Sequence, residues 1–299
     1  MTLQTQTRRI MGTEISITLE SEKQASQDIE DCFDIFTSYE KEFSRFDPTS
    51  ELSQLNQQKT ITPSDRFFRV MELSDRIYQE TGGIFNPLIN LSHIGYGKSF
   101  ETGEFQSIGQ QGNMDWKTVY ITHGSISIQP DQMIDLWWII KGYSVDEVRN
   151  FLFVKGYTDF IINAGWDIYL AGKENSTTPW TVGIDNPLAP GEIIATLEVS
   201  DRSIATSGTY KRTWKTAGNT YHHIIDPRTG TNPDEIISIS ILWHHTWMTD
   251  VYATVGLIMG KEACISWLRT KNLDAIIITK DGEIYTTDAI EQYNPVFFT

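Results

Sequence analysis

The stretch from Val251 to Met259, Val-Tyr-Ala-Thr-Val-Gly-Leu-Ile-Met, carries no charged residue. Read as a helix, it is apolar on nearly every face, so it must be buried on every side. A chain that surrounds one helix in this way needs packed layers around it, and the neighbouring segments supply them. Apolar and polar residues alternate from Ile15 to Leu19, through 118–135, and over Ile236–Trp243, which predicts strands. Further strands are predicted at 159–163, 168–171, 180–184, 193–199 and 275–279. The pairs His123-Gly124 and Asp281-Gly282 suit hairpin turns. Helical spacing recurs over 24–43 (Ile29, Cys32, Phe33, Phe36), around Leu52 and Leu55, from Pro63 to Tyr78, and from Gly142 to Lys155. Hairpins mixed with a few helices predict an α+β fold rather than a doubly wound α/β fold. Residues 92–118, rich in Gly, Ser and Gln, read as a long loop or an inserted lid. Residues 206–230 read as loop-rich.

Charge and cysteine usage narrow the function classes. A net charge of -15 argues against nucleic acid and anionic membranes as partners. Cys32 and Cys264 sit in apolar helical surroundings and read as buried free thiols. No run is long enough to span a bilayer, and Met1 to Gln6 lack an apolar leader core. A cytoplasmic chain is expected, or an exported one whose signal segment lies outside this sequence.

Several segments carry residue types suited to chemistry. Asp250 and Thr254 are four apart on one helical face, where a carboxylate and a hydroxyl suit a hard cation such as magnesium. The plainer reading is that Thr249 or Asp250 caps the helix. In Tyr221-His222-His223-Ile224-Ile225-Asp226-Pro227-Arg228-Thr229-Gly230, one histidine could act as a general base, and the tight turn could hold Arg228 beside a phosphate. Thr206-Ser207-Gly208 could ring a phosphate or form an ordinary loop. Lys141 is either a cation beside a pyrophosphate or a solvated charge at a helix start. A metal role for His222, His223, His244 and His245 is weaker, since it needs their segments to converge, and His244 and His245, adjacent on a strand, point to opposite faces.

Together these segments resemble the flavin transferase family (ApbE-like, FAD:protein FMN transferase). The resemblance runs in order through Met11-Gly12-Thr13, Phe43-Ser44-Arg45-Phe46-Asp47 and Ser50-Glu51-Leu52. It continues through Thr81-Gly82-Gly83-Ile84-Phe85-Asn86-Pro87, Ile134-Asp135-Leu136, Lys141-Gly142-Tyr143 and Asp146. Asn163-Ala164-Gly165 with Asp167-Ile168, Ala205-Thr206-Ser207-Gly208, His222 to Gly230, and Asp250 with Thr254 complete it. The resemblance implies one domain over 1–299 with two packed lobes of mixed sheets and helices, T-fold-related, and a cleft between them. It implies magnesium-dependent transfer of FMN from FAD to a Ser or Thr hydroxyl of a partner protein, or hydrolysis of FAD to FMN and AMP. It makes His223 and Asp250 catalytic, and makes Asp250, Thr254 and the carbonyl of Ile140 metal ligands. Met11, Phe46, Phe85, Asn86, Lys141, Gly142, Asp146, Thr206, Ser207 and Arg228 would contact FAD.

The sequence departs from the family pattern in one consistent way. Trp137, Trp138 and Ile140 stand where the family has Gly-Gly-Ile-Ala before Lys-Gly, and Trp166 stands where it has a second Gly. Trp243 and Trp247 precede Asp250, and Asn86 replaces a common Asp. Five of the nine tryptophans thus fall in segments near the expected cleft. Trp137 and Trp138, read at a strand-to-turn junction, are expected to point opposite ways, one into the core and one to the site. The alternative to a transferase is a catalytically silent protein on the same scaffold, binding another aromatic small molecule in a remodelled, Trp-rich pocket.

Overall fold

The computed structural model describes residues 2–21, 25–88, 112–175, 177–211, 213–216 and 219–298. Residues 92–111 of the expected loop or lid lie outside them. In chain order the elements begin β1 (Thr2–Ile10), β2 (Thr13–Ser21), α1 (Ser26–Phe43), α2 (Glu51–Gln58), β3 (Thr60–Ile61) and α3 (Asp65–Glu80). Next come β4 (Tyr120–Ile121), β5 (Ile126–Ser127), α4 (Trp137–Val154), β6 (Phe160–Ala164), β7 (Asp167–Ala171), β8 (Trp180–Asp185), β9 (Ile193–Val199) and β10 (Arg202–Gly208). The chain ends with β11 (Thr213–Thr216), β12 (Asn219–His222), β13 (Ile236–Trp243), α5 (Thr246–Met259), α6 (Lys261–Lys271), β14 (Asp274–Thr279), β15 (Ile284–Thr286) and β16 (Val296–Phe297). The fold is α+β, and the strand pairings among the described residues are antiparallel. The chain divides into two compact units: 1–37 with 141–208 and 234–299, and 38–140 with 209–233.

The first unit is built on an eight-stranded sheet, ordered β1-β2-β6-β7-β10-β13-β14-β15. One face carries α5, which packs on β10, β13 and β7. Nearly the whole helix is buried, including Val251, Ala253, Val255 and Leu257, as its apolar sequence requires. The other face meets the sheet β16-β9-β8 through a core of Leu170, Ile204, Leu242, Ile276 and Ile278 with Trp180, Val182, Leu197 and Val199. Side chains alternate along β10. Ile204 therefore joins that core, while Ser203 and Ser207 face α5, bonding Thr249 and Thr254. Cys32 and Cys264 are buried free thiols, and burial pushes both up to about 12.

The second unit packs α2 and α3 with the end of α1 and the sheet β3-β5-β4. Ser50 and Ser64 cap α2 and α3 by accepting the backbone N–H of Ser53 and Phe67, so α3 begins one residue after its cap and not at Pro63. Phe43 stacks on Phe67, and the fully buried Trp116 donates its indole N–H to Asp75. His123-Gly124 forms the turn between β4 and β5, as expected. The region after Thr206 is more ordered than its composition suggests, because Arg202–Gly208 is a central strand and β11 pairs with β12.

Trp137 and Trp138 are not on a strand. They open α4, five residues before the expected start, and Trp137 N–H bonds the Asp135 carboxylate. Consecutive helical residues diverge by about 100°, not 180°, so the expected opposition does not arise. Trp138 packs edge-on against Phe85, and both tryptophans are half-buried. The histidines after Trp243 also leave the strand: His245 is the residue before α5, and Trp247 lies in its first turn.

Two backbone positions fix how α4 and the hairpins pack. A Cβ on Gly142 would lie 2.7 Å from the Thr246 carbonyl oxygen and from Trp247 Cα, so α4 and α5 touch backbone to backbone there. Gly165 and Trp166 form the two-residue β6–β7 turn, with φ of 57° and 82°. Such turns favour Asn-Gly or Gly-Gly because both central residues need positive φ. A Trp at this position is strained, and its side chain is 47% exposed. Two opposite outcomes follow in thermal or urea unfolding. Gly142→Ala should destabilise by about 1–3 kcal/mol through overpacking, and Trp166→Gly should stabilise by up to about 1 kcal/mol by relieving the left-handed backbone.

Candidate functional site

In the first unit a buried charge cluster forms where α4, β7 and α5 meet. Lys141 stands in the second turn of α4, and its ammonium donates to Asp167 at the start of β7. The same ammonium stands 3.8 Å from Asp250 Oδ2 on α5. Exposure of the three side chains is 9%, 2% and 14% respectively. Two carboxylates on one ammonium leave the trio with one excess negative charge. One turn beyond Asp250, Thr254 Oγ1 lies 2.8 Å from Ser207 Oγ on β10. Lys141, Ser207, Asp250 and Thr254 therefore converge. The helix start settles the cap question: α5 begins at Thr246, so neither Thr249 nor Asp250 is its cap.

The capping role belongs to Asp146. Its two carboxylate oxygens accept the N–H groups of Thr246 and Trp247, and Arg149 closes on it at 2.9 Å. Burial pushes this carboxyl upward in spite of Arg149 and the two N–H donors. Arg149 also donates to the His244 carbonyl. Asp146 is thus committed to joining α4 to the N-terminus of α5. Gly142 is small because α5 passes across it. Met11 opens the β1–β2 turn at φ 55°, is buried, and has its sulfur 3.7 Å from Ser144 Oγ. Thr206 faces the opposite side of the sheet from Ser207 and pairs with Ser240 at 2.7 Å, so the structure does not bring it to the Lys141 cluster.

In the second unit, His222 and His223 separate in role. The His222 ring has one nitrogen 3.0 Å from the Pro233 carbonyl and accepts the Ile224 N–H at the other. That arrangement holds a neutral imidazole as a bracket for the turn. The adjacent His223 is half-buried and takes no part in this bracket. Arg228 donates to both carboxylate oxygens of Asp226, which organises the Asp-Pro-Arg-Thr-Gly turn. Burial alone would raise the Asp226 carboxyl, but the Arg228 bonds outweigh it and hold it below its usual range. Phe46 is half exposed with the Arg45 guanidinium 4.7 Å from its ring, and Arg45 pairs with Asp135. Phe85 is buried. Asn86 is buried too, donating to the Met114 carbonyl and accepting the Leu88 N–H, which holds the chain after Pro87. Ile140 is a buried residue of the first turn of α4.

Asp167 was visible in sequence only as part of a motif. Its role follows from a hairpin register that pairs it with Ala164 and from its contact with a lysine 26 residues earlier. None of the five departing tryptophans is fully buried, whereas Trp116, Trp180 and Trp214 are core residues. Among the described residues, no group of three or more His, Cys, Asp and Glu could hold a metal, so the four histidines do not form a centre. No helix among them is long and apolar enough to cross a membrane.

A family model described as the ApbE family matches residues 11–277. The chain belongs to the ApbE family. It is similar to a protein of Vibrio cholerae named FAD:protein FMN transferase, 26% identical over 269 residues, covering 85% of this chain and 80% of that protein. A protein of the same name from Klebsiella pneumoniae is 33% identical over 159 residues, covering 52% of this chain and 48%, about half, of that protein. In three dimensions the chain resembles the crystal structure of the ApbE protein from Thermotoga maritima, with a TM-score of 0.89, 21% identity and coverage of 98% and 99% of the two chains. The ApbE fold thus accommodates the five tryptophans with its strand and helix framework intact. Because Asp146 supplies the N-terminal cap of α5, Asp146→Ala should cost about 1–2 kcal/mol. Hydrogen exchange should then quicken at the N–H groups of Thr246 and Trp247 before the rest of α5.

Proposed function

We propose that this ApbE-family chain transfers FMN from FAD to a Ser or Thr hydroxyl of a partner protein, with magnesium at Asp250 and Thr254. The observation that carries the reading is the buried Lys141–Asp167–Asp250 cluster beside the Thr254–Ser207 hydroxyl pair. A net negative, oxygen-rich cluster of two carboxylates, two hydroxyls and a resident ammonium fits a hard divalent cation. Magnesium keeps several waters and takes substrate phosphates, so a sparse protein ligand set suits it. Asp250 Oδ and Thr254 Oγ1 would hold the ion. When bound, the ion supplies charge neutralisation for a pyrophosphate and for the oxygen on which charge develops.

The protein's own groups divide the remaining work. Lys141 holds positive charge for the phosphates. His223 takes the proton of the acceptor hydroxyl, a task that the bracketed His222 is unsuited to. The acceptor oxygen forms a bond to the phosphorus of the FMN moiety, and the phosphorus–oxygen bond to AMP breaks. With water as the acceptor, the same displacement yields free FMN. The half-exposed Phe46 offers apolar surface to a flavin or adenine ring.

A second reading is supported by the tryptophans: all five retain exposed surface, which suits stacking on an aromatic ligand without turnover. One assay separates the two. Purified protein is mixed with FAD, magnesium and a Ser/Thr-bearing acceptor peptide, and AMP and flavinylated peptide are measured. The transferase reading expects both products in equal amounts. It also expects Asp250→Ala to cut AMP release on the order of a hundredfold or more, with His223→Ala losing peptide transfer. Saturable flavin binding with quenched tryptophan fluorescence and no AMP would instead establish the silent binder.

A further inference from the structure

We propose that β1 is the contact strand of a homodimer, pairing antiparallel with the β1 of a second copy of this chain about a two-fold axis at Gln6. The pairing does not depend on the transferase reading. β1 runs nine residues, Thr2–Ile10, in unbroken register with β2, and it ends the eight-stranded sheet. Its turn, Met11-Gly12, has φ of 55° and 65°, the two-residue type whose flanking residues, here Ile10 and Thr13, form a hydrogen-bonded pair. Backbone groups alternate in direction along a strand. The even-numbered residues of β1 therefore bond β2, and the N–H and C=O groups of Leu3, Thr5 and Thr7 point outward from the sheet. Such an edge is a template for another strand, and proteins blunt it with proline, bulges, charges or shortness. The other edges among the described residues are blunted: β3, β4 and β16 have two residues, β15 three, and β11 and β12 four. The six-residue β8 carries a register shift at Ile184–Asp185. β1 has no proline and no bulge, and both of its charges turn to its own chain. The Arg8 guanidinium lies 4.8 Å from the centre of the Phe33 ring on α1, and Arg9 stands opposite Glu14 on β2.

The strand's own sequence selects a second copy as the occupant. With the axis at Gln6, every residue of β1 meets a partner: Thr5 lies opposite Thr7, Leu3 opposite Arg9, Gln4 opposite Arg8 and Thr2 opposite Ile10. The outward-pointing pairs, Thr5 with Thr7 and Leu3 with Arg9, exchange both N–H···O bonds. Neither arginine faces an arginine. An axis at Arg8 or Arg9 would set like charges directly opposite, which destabilises a pair. An axis at Thr5 or Thr7 would run residues past the end of the partner strand. In a chain of net charge -15, an edge whose only charges are two arginines also lowers the repulsion between two copies. The contact uses the same edge of both copies, so it closes at two and joins the two large sheets into one. The short β15 at the far edge offers no comparable strand for further addition.

Analytical ultracentrifugation of the full chain provides the test. The parent should form a concentration-dependent dimer at about 100 μM chain. Thr5→Pro removes an outward N–H and leaves the bonds to β2 intact, a place where an edge strand tolerates proline. It should weaken the dimer on the order of tenfold or more. A residue at the axis meets its own copy in a non-hydrogen-bonded pair, with Cβ atoms about 4.5–5.5 Å apart. Gln6→Cys should therefore crosslink two copies under mild oxidation, and Thr2→Cys should not, because Thr2 lies opposite Ile10. The native Cys32 and Cys264 are buried and stay out of the reaction. The crosslinking pair reports even if Thr5→Pro fails to fold. A parent that stays monomeric, a dimer unchanged by Thr5→Pro, or crosslinking no faster at Gln6 than at Thr2 would overturn the pairing.

Discussion

The backbone contact between α4 and α5 at Gly142 is the constraint on which the rest of the charge cluster depends. Lys141 and Asp250 sit on different helices, and the close crossing at Gly142 sets the two side by side, with the ammonium within 4 Å of that carboxylate. The missing Cβ of Gly142 allows the approach, and the Asp146 carboxylate secures it by receiving the first N–H groups of α5. A helix start leaves four N–H groups without intrahelical acceptors. α5 has no side-chain cap of its own, so a carboxylate from a neighbouring helix takes that place. Stability and geometry are here the same interaction.

A second consequence concerns α5 itself. A helix buried on nearly every face has no solvated side on which to place polar residues, so each polar group on it needs a partner. Thr249 meets Ser203 and Thr254 meets Ser207, both on the α5-facing side of β10. Asp250 sits near Lys141. The polar stripe of an otherwise apolar helix therefore lies against a polar stripe of the central strand. Burial lowers the effective dielectric there, which strengthens the interactions within the cluster. The five tryptophans lie at the start of α4, in the β6–β7 turn and around the start of α5; four are half-buried and Trp166 is exposed.

The parts of this fold that were legible in the sequence are those set by local periodicity. The apolar α5, the alternating β13 and the His123-Gly124 turn each carry their signal within a few residues. β1 was missed because Thr2–Ile10 is a largely exposed edge strand without a buried face to alternate against. β10 was missed because Ser, Thr and Gly in a central strand look like loop composition until their partners across the sheet are known. The start of α4 was misplaced because tryptophans and isoleucines suit strands, while the cap at Asp135 and packing on Phe85 decide for helix. In the candidate cluster, Asp250, Thr254, Ser207 and Lys141 were singled out by spacing and resemblance, and the structure places them near one another. The structural duties of Asp146, Gly142 and Asn86, and the opposite facing of Thr206, arise from partners up to a hundred residues away. Sequence spacing carries no trace of them.

The central claim is that the Lys141–Asp167–Asp250 cluster, with Thr254, is where a cation and a pyrophosphate meet. Phosphorus-31 resonance of FAD bound to the protein, titrated with manganese, tests it most directly. The account predicts that both pyrophosphate signals broaden sharply in the parent and stay narrow in Asp250→Ala. Signals that remain narrow in the parent while FAD is bound, or that broaden equally in both proteins, would contradict it.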